Sequence, residues 1–174
     1  MPNTMSLIAT GTVTSATHSF TMSAIPQDYK DLMILISARS DNSGSSEMQF
    51  AINSVTTGYS TAMIYTNNGT SALAASTSAN AFYTWGGAVV GSGATANTFS
   101  NCSVYFPNYS STTIPKSMSS ESTAENNATA AILWLNAGIN TTTAAISSLT
   151  FYCWQSFINF VPGTTFTLYG IKNS

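Results

Sequence analysis

Apolar and polar side chains alternate along much of this sequence, and this period of two restricts its fold more than any other feature. Phe20 and Met22 alternate with Thr21 and Ser23, and residues 165–168 repeat the pattern. A half-buried β-strand has this period because successive side chains point to opposite faces of the sheet. No window of a dozen residues carries an apolar stripe at helical spacing. We therefore expect an all-β chain.

Turn-forming residues divide the apolar segments. Asn-Gly, Gly-Gly, Gly-Ser-Gly and Pro-Gly sequences separate them, and such sequences favour tight turns. We predict about eight to ten short strands in one antiparallel β-sandwich, with a jelly roll as the favoured form, because two packed sheets cover apolar faces and protect strand edges. Beyond the alternating segments, the predicted strands lie at residues 32–36, 48–52, 59–65, 81–85, 99–106, 130–135 and 146–153.

Four local interpretations follow from composition. Residues 32–36 (LMILI) are apolar on both faces, which is typical of a central strand buried on both sides. The Ala-rich residues 71–81 also contain Ser and Thr, so we predict a loop there. The pair Gly86-Gly87 is interpreted as a hairpin turn, and residues 136–138 as another turn.

The 174 residues are predicted to form one domain, in which residues 1–17 are either a first strand or an extended N-terminal arm.

Charged residues are scarce. The chain has four basic and six acidic residues, whereas 53 residues are Ser or Thr. An average domain is about one-quarter charged, so this surface consists of hydroxyl and amide groups. Nucleic-acid binding rests on clustered Lys and Arg, and the four basic residues here are scattered. The composition therefore predicts a structural or recognition module that does not bind nucleic acid.

The sequence offers little for catalysis or metal binding. His18 is the only histidine, so a triad is not predicted, and it is interpreted as a partly exposed strand residue. Residues 41–47 only faintly resemble a calcium loop. We predict no catalytic, cofactor-binding or metal-binding residue, and no enzymatic activity. Cys102 and Cys153 are interpreted as buried free thiols, although a disulfide between them stays open.

No targeting or membrane segment is apparent in the sequence. The N-terminus has no basic segment followed by an apolar one, as a signal peptide would. No stretch approaches the roughly 18 continuous apolar residues of a membrane helix. We therefore expect synthesis in the cytoplasm without export through the secretory pathway, and no membrane insertion.

Aromatic residues are the remaining candidates for recognition, since Tyr and Trp dominate binding hot spots. Most of them are expected to fill the core. Tyr83 and Trp85 are candidate interface or ligand contacts, and Tyr109, between two predicted strands, is expected to be the most exposed. Leu7 and Ile8 are further candidates, because an N-terminal arm would contact a neighbouring subunit.

Several motifs resemble a known family. Leu-Ile-Ala at residues 7–9, Ala-Ile-Pro-Gln-Asp-Tyr-Lys-Asp-Leu at 24–32 and the closing Phe-Thr-Leu-Tyr-Gly-Ile at 166–171 are similar to small virion structural proteins of tailed bacteriophages from aquatic hosts. The similarity extends over nearly the whole chain. The chain departs from the family at residues 53–55, where Asn-Ser-Val stands in place of a tight Asn-Gly-Asp turn.

The resemblance implies a protein of the virion. Its first expected role is a capsid decoration or cement protein that binds and stabilises the major capsid shell, and no cofactor is expected. Its partners would be the major capsid protein and copies of itself, with a trimer expected by analogy with other virion sandwiches. The alternative is a receptor-binding tip or accessory module of a tail fibre, whose partners would be other fibre proteins and host surface glycan. The capsid surface is the favoured location because no fibre shaft is present in the sequence.

Overall fold

Twelve β-strands form the protein, as a computed structural model describes it for residues 4–66, 73–81, 83–125 and 131–172. These residues contain no helix, and hence none able to span a membrane. The strands are β1 (Met5–Thr12), β2 (Ser19–Met22), β3 (Asp31–Ala38), β4 (Ser46–Ile52), β5 (Tyr59–Thr66), β6 (Leu73–Ala81), β7 (Thr84–Val89), β8 (Ser100–Phe106), β9 (Lys116–Glu125), β10 (Ala131–Asn140), β11 (Leu149–Cys153) and β12 (Thr165–Ile171).

The strands build two antiparallel sheets. The large sheet has the order β1-β12-β3-β8-β9-β10-β5-β6, and the small sheet has the order β2-β11-β4-β7. The connections β1 to β2, β3 to β4, β7 to β8 and β11 to β12 each pass from one sheet to the other. The predicted all-β sandwich is therefore confirmed. Residues 5–12 form its first strand, paired with β12 and interrupted by a bulge between Leu7 and Ala9.

The main core lies between the two sheets. Phe50 on β4 packs against Phe106 on β8 with ring centroids 5.5 Å apart, and Phe151 on β11 packs against Phe166 on β12 at 5.0 Å. All four side chains are fully buried. Each pair joins one sheet to the other, so aromatic packing holds the sandwich together.

Strand β3 differs from the prediction. Leu32, Ile34 and Ile36 point into the core and are at most 2% exposed, but Met33 is half-buried and Leu35 is 38% exposed. The strand is central, as predicted, yet only one of its faces is buried. The prediction of burial on both faces is wrong because no described element covers the outer face of the large sheet here.

The large sheet curls around β7, the edge strand of the small sheet. Val89 belongs to the main core, whereas its neighbour Ala88 belongs to a second core with Trp134 and Ile132 of β10. Adjacent strand residues point to opposite faces, so both faces of β7 are covered. The free edge of β7 is covered as well, because the Ala88 amide donates to Ser122 Oγ at 2.8 Å.

Two glycines of β7 allow the large sheet to approach this strand closely. Gly86 and Gly87 lie within β7 at a register shift opposite β4, so the prediction of a hairpin turn is wrong. A Cβ added to Gly87 would lie 2.6 Å from Cβ of Ser122. The Cys102 thiol of β8 donates to the Gly86 carbonyl at 3.2 Å. Side chains of the large sheet thus pair with the backbone of this edge strand, which protects it from further strand addition.

Other interpretations of loops and turns are corrected by the strand bounds. Residues 73–81 form β6, and residues 136–138 continue β10. Residues 116–125, which are polar and not among the predicted strands, form β9. The first two residues of the predicted loop, 71 and 72, lie outside the described residues. At residues 53–55, where the sequence has Asn-Ser-Val, Asn53 and Ser54 adopt φ of 50° and 58°, which forms a tight turn. That turn does not form a hairpin, because β4 and β5 belong to different sheets.

Buried charges are satisfied inside the fold. Lys116 is 1% exposed, and its Nζ donates to the carbonyls of Ser111, Ile114 and Thr143 at 2.6–3.2 Å. The guanidinium of Arg39 donates to four carbonyls of residues 92–98. Because buried polar groups require hydrogen-bond partners, these side chains hold loops to the sandwich and are not free to bind a ligand.

Alkaline pH should destabilise the protein. Burial raises the pKa of Tyr59 from 10.0 to about 12, and of Cys102 and Cys153 from 9.0 to about 12. Between pH 9 and 12 the folded protein therefore retains protons that the unfolded chain releases, so stability is lost as pH rises through this window. We expect the urea midpoint to fall between pH 9 and 11. A Cys102→Ala/Cys153→Ala variant should show a smaller decline, and a midpoint that stays constant up to pH 11 would contradict this prediction.

Candidate binding surfaces

Aromatic side chains gather on the outer face of the small sheet. Tyr152 on β11, Gln49 on β4 and Trp85 on β7 lie side by side in register across three strands. The ring of Tyr83 lies 4.9 Å from that of Tyr152, and the ring of Trp154 lies 6.2 Å from that of Trp85. We call these five residues the aromatic platform. Its rings and its one amide are typical of surfaces that bind sugars or anchor a protein partner.

The loop after β11 extends this surface. Trp154 is 49% exposed, and Phe157 in the same loop is 72% exposed, the highest value among the large apolar side chains of the described residues. Burial of such rings in a complex would contribute substantially to binding.

A pocket of about 220 Å³ lies where the large sheet curls over the small one. Met63 and Tyr65 of β5 and Ile132 and Trp134 of β10 form its apolar walls. The rings of Tyr65 and Trp134 are 5.7 Å apart and inclined at 50° to each other. The pocket also contains Ser45, Ser46 and Glu47. We call it the Glu47 pocket.

Glu47 is the charged group of this pocket. Its Oε2 atom is buried and has no hydrogen-bond partner among the described residues, and the same holds for Oγ of Ser46. Burial raises the pKa of Glu47 above 4.5, because a carboxylate loses hydration there without gaining a donor. This arrangement leaves an acceptor available to a ligand.

The outer face of the large sheet carries a third surface. Ile64 on β5 and Leu133, Leu135 and Ile139 on β10 are between 42% and 48% exposed. Leu135 lies directly opposite Ile64. These four residues form the apolar stripe. Exposed apolar patches of this kind are typical of protein interfaces.

A groove of about 310 Å³ lies beside the apolar stripe. Leu35 on β3 and Leu133 flank it, and its floor consists of small polar residues of β8 and β9 such as Ser103 and Thr123. Glu121 also lines the groove and accepts a hydrogen bond from Ser103 Oγ at 3.3 Å. The groove and the stripe together give this face an apolar, weakly charged character.

The structure separates the five candidate contact residues. Tyr83 and Trp85 lie together in the aromatic platform. Leu7 is 60% exposed on the edge strand β1, whereas Ile8 packs against the main core. The prediction for Tyr109 is wrong: it is fully buried, and its hydroxyl donates to the Pro26 carbonyl. Its ring fills the core beneath the loop in which it lies, so it cannot contact a ligand.

Residues considered for chemistry are tied into the fold. His18 Nδ1 lies 3.0 Å from the Ile158 carbonyl oxygen. Asp41 accepts two hydrogen bonds from Asn159, at 2.8 Å each, and Glu47 lies apart from it in the pocket. Among the described residues, no group of three or more His, Cys, Asp or Glu side chains could hold a metal ion. Cys102 and Cys153 are both free and buried, so the structure contains no disulfide between them.

Sequence reasoning missed the roles of Glu47 and Gln49. The available signal was their alternation with buried Met48, which places both on the outer face of β4. Nothing near them in the sequence indicates that Trp134 would cover Glu47.

No protein-family model, curated protein or solved structure matches this chain. Function is therefore inferred from the residues and their geometry.

Proposed function

We propose that this protein is a bacteriophage structural protein that decorates the capsid, contacting the shell through the apolar stripe. The observation that carries the proposal is the exposure of Ile64, Leu133, Leu135 and Ile139 on one face of the large sheet. Such a face gains binding energy by burial against another protein. The resemblance of residues 24–32 and 166–171 to virion structural proteins supplies the context.

The strand order supports the jelly-roll form of the sandwich. The sets β1-β12-β3-β8 and β2-β11-β4-β7 follow the order of two interleaved Greek keys. The antiparallel pairs β9/β10 and β5/β6 are then additions to the large sheet, and the apolar stripe lies on these additions. We propose that the added strands are the part of the molecule specialised for docking.

A sparsely charged surface fits this role. Ion pairs between exposed groups weaken in salt, whereas apolar contacts do not depend on them. Repeated equivalent sites on a shell would add avidity to each weak contact. Self-association, with a trimer as the expected form, would strengthen this effect.

The stripe can be tested directly by particle binding. A Leu133→Ser/Leu135→Ser variant should bind particles grown without this protein at least tenfold more weakly, since each leucine loses about 1 kcal/mol of burial. Phe157→Ser is the matched control, because it removes an exposed apolar side chain that lies outside the stripe, in the loop after β11. Equal binding of both variants and the unmodified protein would contradict the role of the stripe.

A tail-fibre tip that binds host glycan is the second candidate. The aromatic platform favours it, because sugars stack their apolar faces on such rings and an amide such as that of Gln49 pairs with their hydroxyls. In that case Phe157→Ser or Trp154→Ala should weaken adsorption to cells, and the leucine variant should not.

Quantitative mass spectrometry of purified particles decides between the two candidates. A copy number close to that of the major capsid protein supports decoration, and a few copies per particle support the tail. Absence of the chain from particles would contradict both proposals.

A further inference from the structure

The Glu47 pocket combines an unpaired carboxylate with inclined aromatic rings. Glu47 is half-buried, and its buried Oε2 atom has no donor among the described residues. Such an oxygen is unfavourable, so the pocket is more stable when a ligand supplies a positive charge or a hydrogen-bond donor. The rings of Tyr65 and Trp134 are inclined at 50° to each other, so they present two differently oriented faces to the pocket. Trp85 contacts Trp134 edge-on, with ring planes at 79°, and supports this wall.

No hydrogen bond joins Glu47 Oε2 to any of the four basic side chains. Lys116 is held by three carbonyls, and Arg39 donates to the loop at residues 92–98. Lys172 lies over the ring of Tyr29, and Lys30 is exposed just before β3. The pocket thus presents a negative charge and two π-faces to an external group.

We propose that the Glu47 pocket binds an organic ammonium ion. The carboxylate of Glu47 pairs with the charge, while the rings of Tyr65 and Trp134 contact the N-alkyl groups through cation–π attraction. Met63 and Ile132 complete the apolar wall. The volume of about 220 Å³ suits one small ammonium group, since it exceeds a benzene-sized cavity of about 150 Å³ and falls short of drug-sized pockets.

A cation fits this pocket better than a neutral sugar. A sugar requires several donors and acceptors arranged around its ring, and the described lining offers few polar side chains: Ser45, Ser46, Glu47 and the hydroxyl of Tyr65. The aromatic platform, which includes Gln49, adjoins this pocket through Trp85, whose ring lies 6.0 Å from that of Trp134. The ammonium proposal does not rest on either proposed function, because Glu47, Tyr65 and Trp134 are not part of the platform.

Titration with choline chloride, followed by tryptophan fluorescence, tests the proposal. We expect a saturable change that sodium chloride at the same ionic strength does not produce. Dimethylbutanol, the neutral isostere of choline in which carbon replaces nitrogen, should bind at least tenfold more weakly. Equal binding of the two compounds, or no saturable change with choline, would overturn the proposal.

Variants of the pocket test which of its residues bind choline. Glu47→Gln should weaken choline binding at least tenfold with an unchanged fold, as judged by circular dichroism and the urea midpoint. Glu121→Gln, which changes a carboxylate on the opposite face of the large sheet, should leave binding unaffected. Tyr65→Leu keeps the charge but removes one ring, and it should also weaken binding. Wild-type affinity in the Glu47 variant would overturn the assignment.

The source of the ammonium group is resolved by a second ligand. Acetyl-lysine methylamide, with the acetyl group on the α-nitrogen, carries the free side chain of a lysine within a protein. Tighter binding of this compound than of choline assigns the pocket to a lysine of a partner protein. Tighter binding of choline assigns it to a small quaternary ammonium compound. Either result requires the carboxylate of Glu47, so both support the proposed chemistry.

Discussion

Replacing Lys116 with methionine is expected to lower the free energy of unfolding by about 3–5 kcal/mol. The buried ammonium group donates to the carbonyls of Ser111, Ile114 and Thr143, and a hydrogen bond from a charged group contributes about 1.5–3 kcal/mol. Methionine fills a similar volume, so the loss reports hydrogen bonding rather than a cavity. Urea unfolding, followed by fluorescence, measures the difference.

Lys172→Met is the matched control for this prediction. Lys172 is exposed, and its Nζ lies 5.4 Å from the centroid of the Tyr29 ring. Exposed cation–π contacts contribute about 0.5–1 kcal/mol, so this change should cost less than about 1 kcal/mol. If the two variants are equally stable, Lys116 is hydrated rather than inserted among the carbonyls, and the account of its burial is wrong.

Gly87→Ala is expected to destabilise the protein by about 2–3 kcal/mol. The new Cβ would lie 2.6 Å from both Cβ and Oγ of Ser122, and overpacking of this kind typically costs about 1–3 kcal/mol. The strand β7 would have to move away from β9, which would also break the hydrogen bond from the Ala88 amide to Ser122. We expect a lower urea midpoint together with altered tryptophan fluorescence, because Trp134 packs in the same core as Ala88.

Two further variants make this experiment specific. A Cβ on Gly44 meets no atom within 4 Å, so Gly44→Ala should change stability by less than about 0.5 kcal/mol. In a Ser122→Gly background, Gly87→Ala should cost less than it does in the unmodified protein, since the clashing side chain is gone. An equal cost in both backgrounds would mean that the large sheet does not approach β7 as closely as described.

Strand β9 shows why some elements could not be predicted. Its inward side chains include Ser120 and Ser122, which are buried only because they pair with Asn136 and the Ala88 amide. A serine-rich segment carries no apolar period, so its burial depends on partners supplied by other strands. The local sequence therefore indicated a polar stretch.

For Tyr109 and Leu35, the exposure predicted from the sequence is the reverse of the exposure in the structure. The Pro-Asn-Tyr-Ser sequence around Tyr109 indicates a surface turn, yet the ring is buried because the loop folds over the end of the core. Leu35 lies in an apolar run that indicates burial, yet it is 38% exposed because no described element covers that sheet face. Exposure is a property of the assembled sheets, and residue type predicts it only on average.

The residues of the candidate binding surfaces differ in how visible they are in the sequence. Tyr83 and Trp85 are candidates from the sequence alone, because aromatic residues dominate binding in a charge-poor chain, and their role in binding stays a prediction. Glu47 was visible only as an acidic residue near a loop. Its environment arises where β10 and β5 pass over β4, and this crossing is absent from the sequence pattern.

The sequence by itself determined that the chain is all-β, where most of its apolar strands lie, and that its surface is built from hydroxyl and amide groups. These properties are local, because the period of two and the turn residues act over a few neighbouring positions. Only the tertiary structure decided that the large sheet curls around β7, that Glu47 meets Tyr65 and Trp134, and that the outer face of β10 stays exposed. Each of these depends on contacts between strands far apart in the sequence, whose geometry is set by packing and by hydrogen bonds that no single segment contains.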